Sequence, residues 1–493
     1  MPRTADGPRP DDSRPDPGRG GPDHPDPDHP DPDHPDPDRP GPDRPSSGHP
    51  TPDHPSAGDG SDNGDGTRVV RAGLPEPQAY EPTLPGPVFA AHFHLPGEAT
   101  GPYRYGREEN PTWTLLEQAI SELESPGVPA ETVIFPSGMA AAAAVLMSRV
   151  ASGDAVVLPS DGYQALPLLR ERLTSYGVEV RTAPTADDAQ LALIDGAKLL
   201  WLETPSNPGL DVCDIRRLAD AAHAAGALVA VDNTLATPLG QRPLELGADF
   251  SVASGTKALT GHGDVLLGYA TCRDPELAAS LRLWRKSIGA VPGPMESWLA
   301  HRSLATLRLR VDQQAAGAMT LAEALRERPD VTGLRHPGLP DDPAHQLAVR
   351  QMRGGRFGCV VSFTLPDRAY AERFLSALRL VDEATSFGGV RSTAERRGRW
   401  GGDAVPEGFI RFSVGVEDPA DLVTDALRAL DEAARAAGRT AGVSGRYVIG
   451  WFEPPPSWLE PPRFRASRTA SARLVDSASV SNHPSGTVLS TYL

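Results

Sequence analysis

From Glu131 onward, short apolar runs of strand length alternate with longer stretches in which apolar residues recur at helical spacing. ETVIF leads into SGMAAAAAVLMSRV, and AVVLP into YQALPLLRERLTSYG. VEVRT and KLLWLE follow, then DIRRLADAAHAAG, ALVAVDN and the short run FSVA. Buried strands linked by helices pair side by side when each helix crosses back over the sheet. The alternation therefore predicts an α/β fold with a mostly parallel central sheet and helices on both faces. A long helical stretch near Pro294 to Arg328 precedes a second, smaller set: CVVSFTLP, RAYAERFLSALRL, FIRFSVG and PADLVTDALRALDEAARAAG. This set reads as a smaller C-terminal α+β domain.

Neither end of the chain continues the pattern. Residues 1–66 contain no Val, Ile, Leu, Phe, Tyr, Trp or Cys and hold 18 of the 52 prolines. HPDPD recurs between Asp23 and Asp38 with a period of five. So little apolar surface cannot offset chain entropy, and a disordered, solvating tail without a dedicated metal site is expected. Residues 441–493 mix proline clusters with a Ser/Arg bias and are expected to be disordered as well. The net charge is −17, of which residues 1–66 supply −10 (16 Asp against 6 Arg), leaving −7 for the remainder. That balance argues against a nucleic-acid partner. The chain has no run of 18 apolar residues, and its N-terminus lacks the apolar core of a signal peptide, so no membrane association is expected. Cys213, Cys272 and Cys359 show neither ligand nor disulfide spacing, which predicts a reduced, cytoplasmic protein.

In open parallel sheets, ligands bind beyond the C-terminal ends of the strands. Five loops at that rim carry polar or glycine-containing clusters: PSGM, PSDGY, ETPSNP, DNT and SGTK. Gly138 and Met139 open an alanine-rich helix whose N–H groups would attract a phosphate, although Ser137 could be an ordinary N-cap. Lys257 stands among Ser254, Thr256 and glycines, either as a solvated charge or as part of an anion site. No GxxxxGK[ST] motif is present, which disfavours a nucleotide P-loop. Asp232 ends the apolar run ALVAV, where it either caps a turn or pairs with a ring nitrogen that must stay protonated. At about 4 Å and an effective dielectric near 20, that pairing is worth ~4 kcal/mol before desolvation. Tyr163 could stack on a planar ligand or fill core space. Asn207 could bind a phenolate oxygen or form an Asx turn before Pro208. Taken together, these requirements describe pyridoxal 5′-phosphate bound covalently to a lysine.

Eight ordered blocks give the chain its likeness to a known family: YGREENPTWTLLEQAISELE, FPSGMAA, DGYQAL, ETPSNPGLDVCDI, AVDNTLATP, SGTKALTGHGD, TSFGGVRS and FIRFSVGVED. Over about Gly66 to Gly438 the sequence resembles the cysteine/methionine-metabolism (transsulfuration) family of pyridoxal phosphate enzymes. RSTAERRGRWGGDAVPEGFIRFSVG is most similar to the actinobacterial cystathionine γ-lyases of that family. The resemblance implies the type I (aspartate aminotransferase-like) fold. It divides the chain into an arm contacting a neighbouring subunit (67–126), a cofactor-binding domain (127–310) and a C-terminal domain (311–440).

Residue by residue, the resemblance implies that Lys257 carries the cofactor, Asp232 faces the ring nitrogen and Tyr163 stacks on the ring, these three being catalytic. Gly138, Met139, Ser254 and Thr256 would form the phosphate cup, and Asn207 would also touch the cofactor. Tyr105 and Arg107 would reach the phosphate of a neighbouring subunit, which implies a homo-oligomer of shared-site dimers, usually tetrameric. Ser386 and Arg411 would hold the α-carboxylate of an amino-acid substrate. The implied reaction is α,γ-elimination of L-cystathionine to cysteine, 2-oxobutyrate and ammonia. Cystathionine γ-synthase, cystathionine β-lyase and methionine γ-lyase are the alternatives within the family, and a catalytically silent protein that keeps the fold is the alternative outside them. Two departures matter. Ala165 stands where methionine γ-lyases tend to have cysteine, and Arg391 where many cystathionine lyases have glutamate, at the place where the distal end of the substrate would lie.

Overall fold

The computed structural model describes residues 63–438. The expectations for the two tails lie outside the described residues, except at 63–66. Twelve strands are described, and the first seven form one sheet: β1 (Glu131–Phe135), β2 (Ala155–Pro159), β3 (Glu179–Ala183), β4 (Ala197–Glu203), β5 (Leu228–Asp232), β6 (Phe250–Ala253) and β7 (Gly268–Cys272). Their order is β1-β7-β6-β5-β4-β2-β3, and β7 alone runs antiparallel to its neighbours. The alternation that predicts the parallel strands does not extend to GYATC, so β7 is an addition from the structure.

The helices are α1 (Asp65–Arg71), α2 (Pro111–Glu124), α3 (Gly138–Arg149), α4 (Leu166–Ser175), α5 (Ile215–Ala224), α6 (Thr237–Gly240), α7 (Pro275–Ile288), α8 (Pro294–Leu304), α9 (Leu307–Arg326), α10 (His345–Gln351), α11 (Arg368–Ala377) and α12 (Pro419–Ala436). Side chains on a strand point alternately to its two faces. In β4, Leu199 and Trp201 pack towards α3 and α7 with Val145 and Leu281, whereas Leu200 and Leu202 pack towards α5 with Leu218 and Ala222. One apolar run thus serves two cores. The helical stretch expected near Pro294 to Arg328 is present as two helices, α8 and α9, with a break between them. There the Thr306 hydroxyl donates to Ser303 O (3.2 Å) and accepts from Arg310 Nε (3.1 Å), a local alternative to helical pairing.

A second sheet, β8 (Thr332–Arg335), β9 (Val360–Thr364), β10 (Asp382–Glu383), β11 (Thr393–Arg396) and β12 (Phe409–Ser413), has the order β10-β11-β12-β9-β8. In β12, Ile410 and Phe412 enter the core shared with α9, α11 and α12. Along α12, Leu422, Ala426, Ala429, Leu430 and Ala433 recur at helical spacing on that core. Each fully buried leucine there is worth about 1.5–3 kcal/mol. Since β12 alternates, Arg411 and Ser413 project from the opposite face, which is the face that meets the site.

Candidate active site

The loops after β1, β2, β4, β5 and β6 converge on one cavity of about 180 Å³. Met139, Tyr163, Asn207, Asp232 and Lys257 line it, each at the end of one of these strands or a few residues beyond it. Gly138, Ser254 and Thr256 line it too. Ser137 caps α3 by accepting from Ala140 N (3.1 Å), which leaves the N–H groups of Gly138 and Met139 without helical partners. A Cβ on Gly138 would lie 2.6 Å from Ser254 Cβ, and one on Gly268 would lie 2.1 Å from Ser137 O. The two glycines let the α3 turn, the β6 loop and β7 approach one another. Thr256 Oγ1 accepts from Leu267 N (2.9 Å) and donates to Leu267 O (3.1 Å), so its hydroxyl proton is already engaged.

Asp232 Oδ1 accepts from Thr234 N (3.0 Å) and Thr234 Oγ1 (2.5 Å). Burial raises its pKa, while Thr234 and Lys257 oppose the rise. A cationic ring nitrogen would reverse that burial effect by giving the carboxylate an opposite charge. Glu203, the register partner of Asp232 across β4 and β5, accepts from Tyr163 N (2.7 Å) and Asn207 N (3.0 Å). Burial and then the Asp232 charge push its pKa well above the usual carboxylate range. Lys257 Nζ donates to Ser386 Oγ at 3.0 Å and lies 5.2 Å from the Phe387 ring centre. Burial, followed by the Arg411 charge, brings its pKa down to about 8, against the opposing pull of Asp232 and Glu395.

Arg411 is 3 % exposed. It donates to Asn207 Oδ1 (2.8 Å), to Ser386 O (3.1 Å) and to Glu395. Those bonds take three of its five N–H donors and leave two. Ser386 sits at φ +84°, a left-handed conformation held only where the surroundings fix it. A second cavity of about 560 Å³ shares Thr256, Lys257, Leu266 and Phe387 with the first and adds His262, Asp264, Asp382, Ser386 and Arg391. Arg391 is exposed at this mouth. Tyr105 and Arg107 line neither cavity in this chain. They stack on each other, with Arg107 5.0 Å from the Tyr105 ring centre and Tyr105 44 % exposed.

Sequence reasoning missed Glu203, Glu395 and Phe387. Glu203 carries the same signal as Asp232, a carboxylate ending an apolar run. Glu395 gives no such signal, because TAERR shows no apolar alternation.

A half-buried primary amine, a carboxylate opposite it and an N–H cradle beside both make the three contacts that an aldehyde-bearing, phosphorylated pyridine requires. The glycine that keeps the cradle open shows that these residues fit the group. Fold and site together define a type I pyridoxal phosphate enzyme. More narrowly, the chain belongs to the Cys/Met metabolism PLP-dependent enzyme family, whose model it matches over residues 87–431. It is 73% identical over 383 residues to a Streptomyces coelicolor protein provisionally named cystathionine gamma-lyase, covering 76% of this chain and 97% of that one. A cystathionine gamma-synthase of Mycobacterium tuberculosis is 37% identical over 383 residues, covering 75% of this chain and 97% of its own. The apo crystal structure of a methionine gamma lyase from Micromonospora echinospora superposes with a TM-score of 0.70 at 39% identity, covering 75% of this chain and 99% of that chain. Among the described residues, no helix is long and apolar enough to cross a membrane.

Proposed function

We propose that the protein cleaves the Cγ–S bond of L-cystathionine, using one water to give cysteine, 2-oxobutyrate and ammonia. One observation carries this reading: the cavity that opens onto Lys257 is lined at its mouth by Arg391, His262, Asp264 and Asp382. A mouth of mixed charge suits a substrate whose far end is itself an amino acid, and suits the methyl thioether of methionine poorly. The provisional name of the Streptomyces relative supports the same choice.

Pyridoxal phosphate, when bound, supplies an electron sink that makes the α- and β-protons of an amino acid acidic. The work of this chain's residues follows from their placement. The free N–H groups of Gly138 and Met139 hold the phosphate, and Asp232 keeps the ring nitrogen charged. Arg411 and Ser386 fix the α-carboxylate. Lys257, which would carry the cofactor at rest, would act as the base once its amine is free. In the protein alone, burial and the Arg411 charge already bring that amine down to about 8, a range suited to proton transfer near neutrality. It would take the α-proton; a second proton then leaves Cβ, and the electron pair left there expels the sulfur from Cγ. Lys257 or Tyr163 delivers a proton to the departing sulfur, so cysteine leaves as a thiol.

The arm reading of residues 67–126 and the division at 310/311 belong to this proposal. Tyr105 and Arg107 serve a neighbouring chain's phosphate in a shared-site dimer, for which their absence from both cavities here is the support. The three free, buried cysteines suit a reduced cytoplasm. The γ-synthase reading is the runner-up, because the same mouth would receive cystathionine as product. Incubation with cystathionine alone, set against an O-acyl homoserine plus cysteine, decides between them. Cysteine and 2-oxobutyrate in the first arm support the lyase. Product only in the second assigns the synthase, and homocysteine with pyruvate assigns a β-lyase.

A further inference from the structure

Glu395 is 1 % exposed and sits directly opposite Arg411 in the β11–β12 ladder. Its Oε1 accepts from Arg411, from Arg397 Nη1 (2.9 Å) and from Thr385 Oγ1 (3.3 Å). Its Oε2 accepts from Trp400 Nε1 (2.8 Å) and Arg399 Nη2 (3.2 Å). With five donors already directed at its two oxygens, this carboxylate has little accepting capacity left for a ligand; its role is exerted through its partners. Arg397, also 1 % exposed, continues the chain of bonds. Its Nε donates to Asp403 Oδ2 (2.7 Å) and its Nη2 to Gln164 Oε1 (2.9 Å). Gln164 follows Tyr163 directly. One bonded path therefore runs from the second sheet, through Glu395 and Arg397, to the loop that carries Tyr163, and a second runs from Arg411 through Asn207 to Glu203 and back to Tyr163 N.

We propose that Glu395 and Arg397 are positioning residues that hold Arg411 and the Tyr163 loop in one frame, so that a substrate's α-carboxylate meets a guanidinium already oriented. The inference rests on the reading of Arg411 as the α-carboxylate anchor. An arginine side chain has many rotamers, and its bidentate pairing with a carboxylate depends on the plane of the guanidinium. Asn207 Oδ1, Ser386 O and Glu395 fix that plane from three directions. Glu395 lies on a rigid strand pair, whereas Ser386 and Asn207 lie on loops, so it is the reference against which the plane is set.

The test uses holoenzyme and two amines that cannot undergo elimination. Glycine has an α-carboxylate, and methylamine lacks one. Each is titrated against the visible band of the bound cofactor. In Glu395→Gln, the glycine dissociation constant should rise about 10- to 100-fold, the loss of one charge-assisted bond, while that of methylamine changes less than about twofold. Equal weakening of both amines, or of neither, overturns the positioning role. Arg411→Lys separates this failure from failure of the parent reading. If Arg411→Lys does not selectively weaken glycine, the carboxylate-anchor assignment itself is wrong; if it does and Glu395→Gln does not, only the inference fails. Should Glu395→Gln not fold, Gln164→Ala cuts the path at its neutral end. It should raise the glycine constant about threefold to tenfold without changing that of methylamine, and an unchanged glycine constant in that variant overturns the frame.

Discussion

Loading of the apo-protein with pyridoxal phosphate should respond to pH as the Lys257 environment dictates. Only the neutral amine attacks the aldehyde, so the loading rate follows the deprotonated fraction of Lys257. Burial, then the Arg411 charge, brings that group to about 8 from 10.5. At pH 7.5 roughly one quarter is neutral, against roughly one part in a thousand for an ordinary lysine, a difference of about 200-fold in rate. Apo-protein mixed with cofactor in a stopped-flow cell, followed by the visible band, should load about tenfold faster per pH unit in the acid range and level off above about 8. Arg411 lowers the value because its charge opposes a second cation, so Arg411→Met should move the break to higher pH. A rate that climbs without a break to pH 10 in the unaltered protein would refute the reasoning.

Three further outcomes follow from the same geometry. Gly138→Ala puts a methyl group 2.6 Å from Ser254 Cβ and should cost about 1–3 kcal/mol of stability, with at least about tenfold weaker cofactor binding. Thermal melting and fluorescence titration of the apo-protein read both, and affinity equal to the parent's would show that the cradle tolerates the methyl. Co-expressed Lys257→Ala and Arg107→Ala chains should recover about a quarter of the parent activity, because half the dimers are mixed and each holds one intact site; no recovery removes the shared site. Arg391→Gln should raise KM for cystathionine about tenfold and leave KM for L-homoserine, which has no charged distal end, nearly unchanged. An equal rise for both would take Arg391 out of distal recognition.

Much of this arrangement is legible in the chain because it depends on strand ends. ALVAVD, KLLWLE, AVVLP, ETVIF and FSVA are apolar runs that stop at polar loops, and the parallel sheet brings those stops to a single rim. Asp232, Tyr163, Asn207 and Lys257 could be singled out for that reason. What the sequence conceals is tertiary. Glu395 and Arg411 are sixteen residues apart and meet only because β11 and β12 pair antiparallel in one register. Arg397 reaches Gln164 across 233 residues, and no periodicity encodes that contact. Tyr105 and Arg107 illustrate the opposite limit: their motif is clear, yet within one chain the Arg107 guanidinium stacks on the Tyr105 ring and neither residue lines the two cavities described above.

The assignment of Lys257 as the cofactor-bearing residue is open to a direct measurement, since the whole chain has only three lysines, Lys198, Lys257 and Lys286. Lys198 is exposed at the start of β4, and Lys286 is paired with Glu108 at 2.6 Å. Borohydride reduction of the holoenzyme, followed by proteolysis and mass spectrometry, should place the reduced cofactor on the peptide containing Lys257 alone. Lys257→Ala should fold, lose the label and lose turnover. A label on the Lys198 or Lys286 peptide in the parent protein would contradict the account.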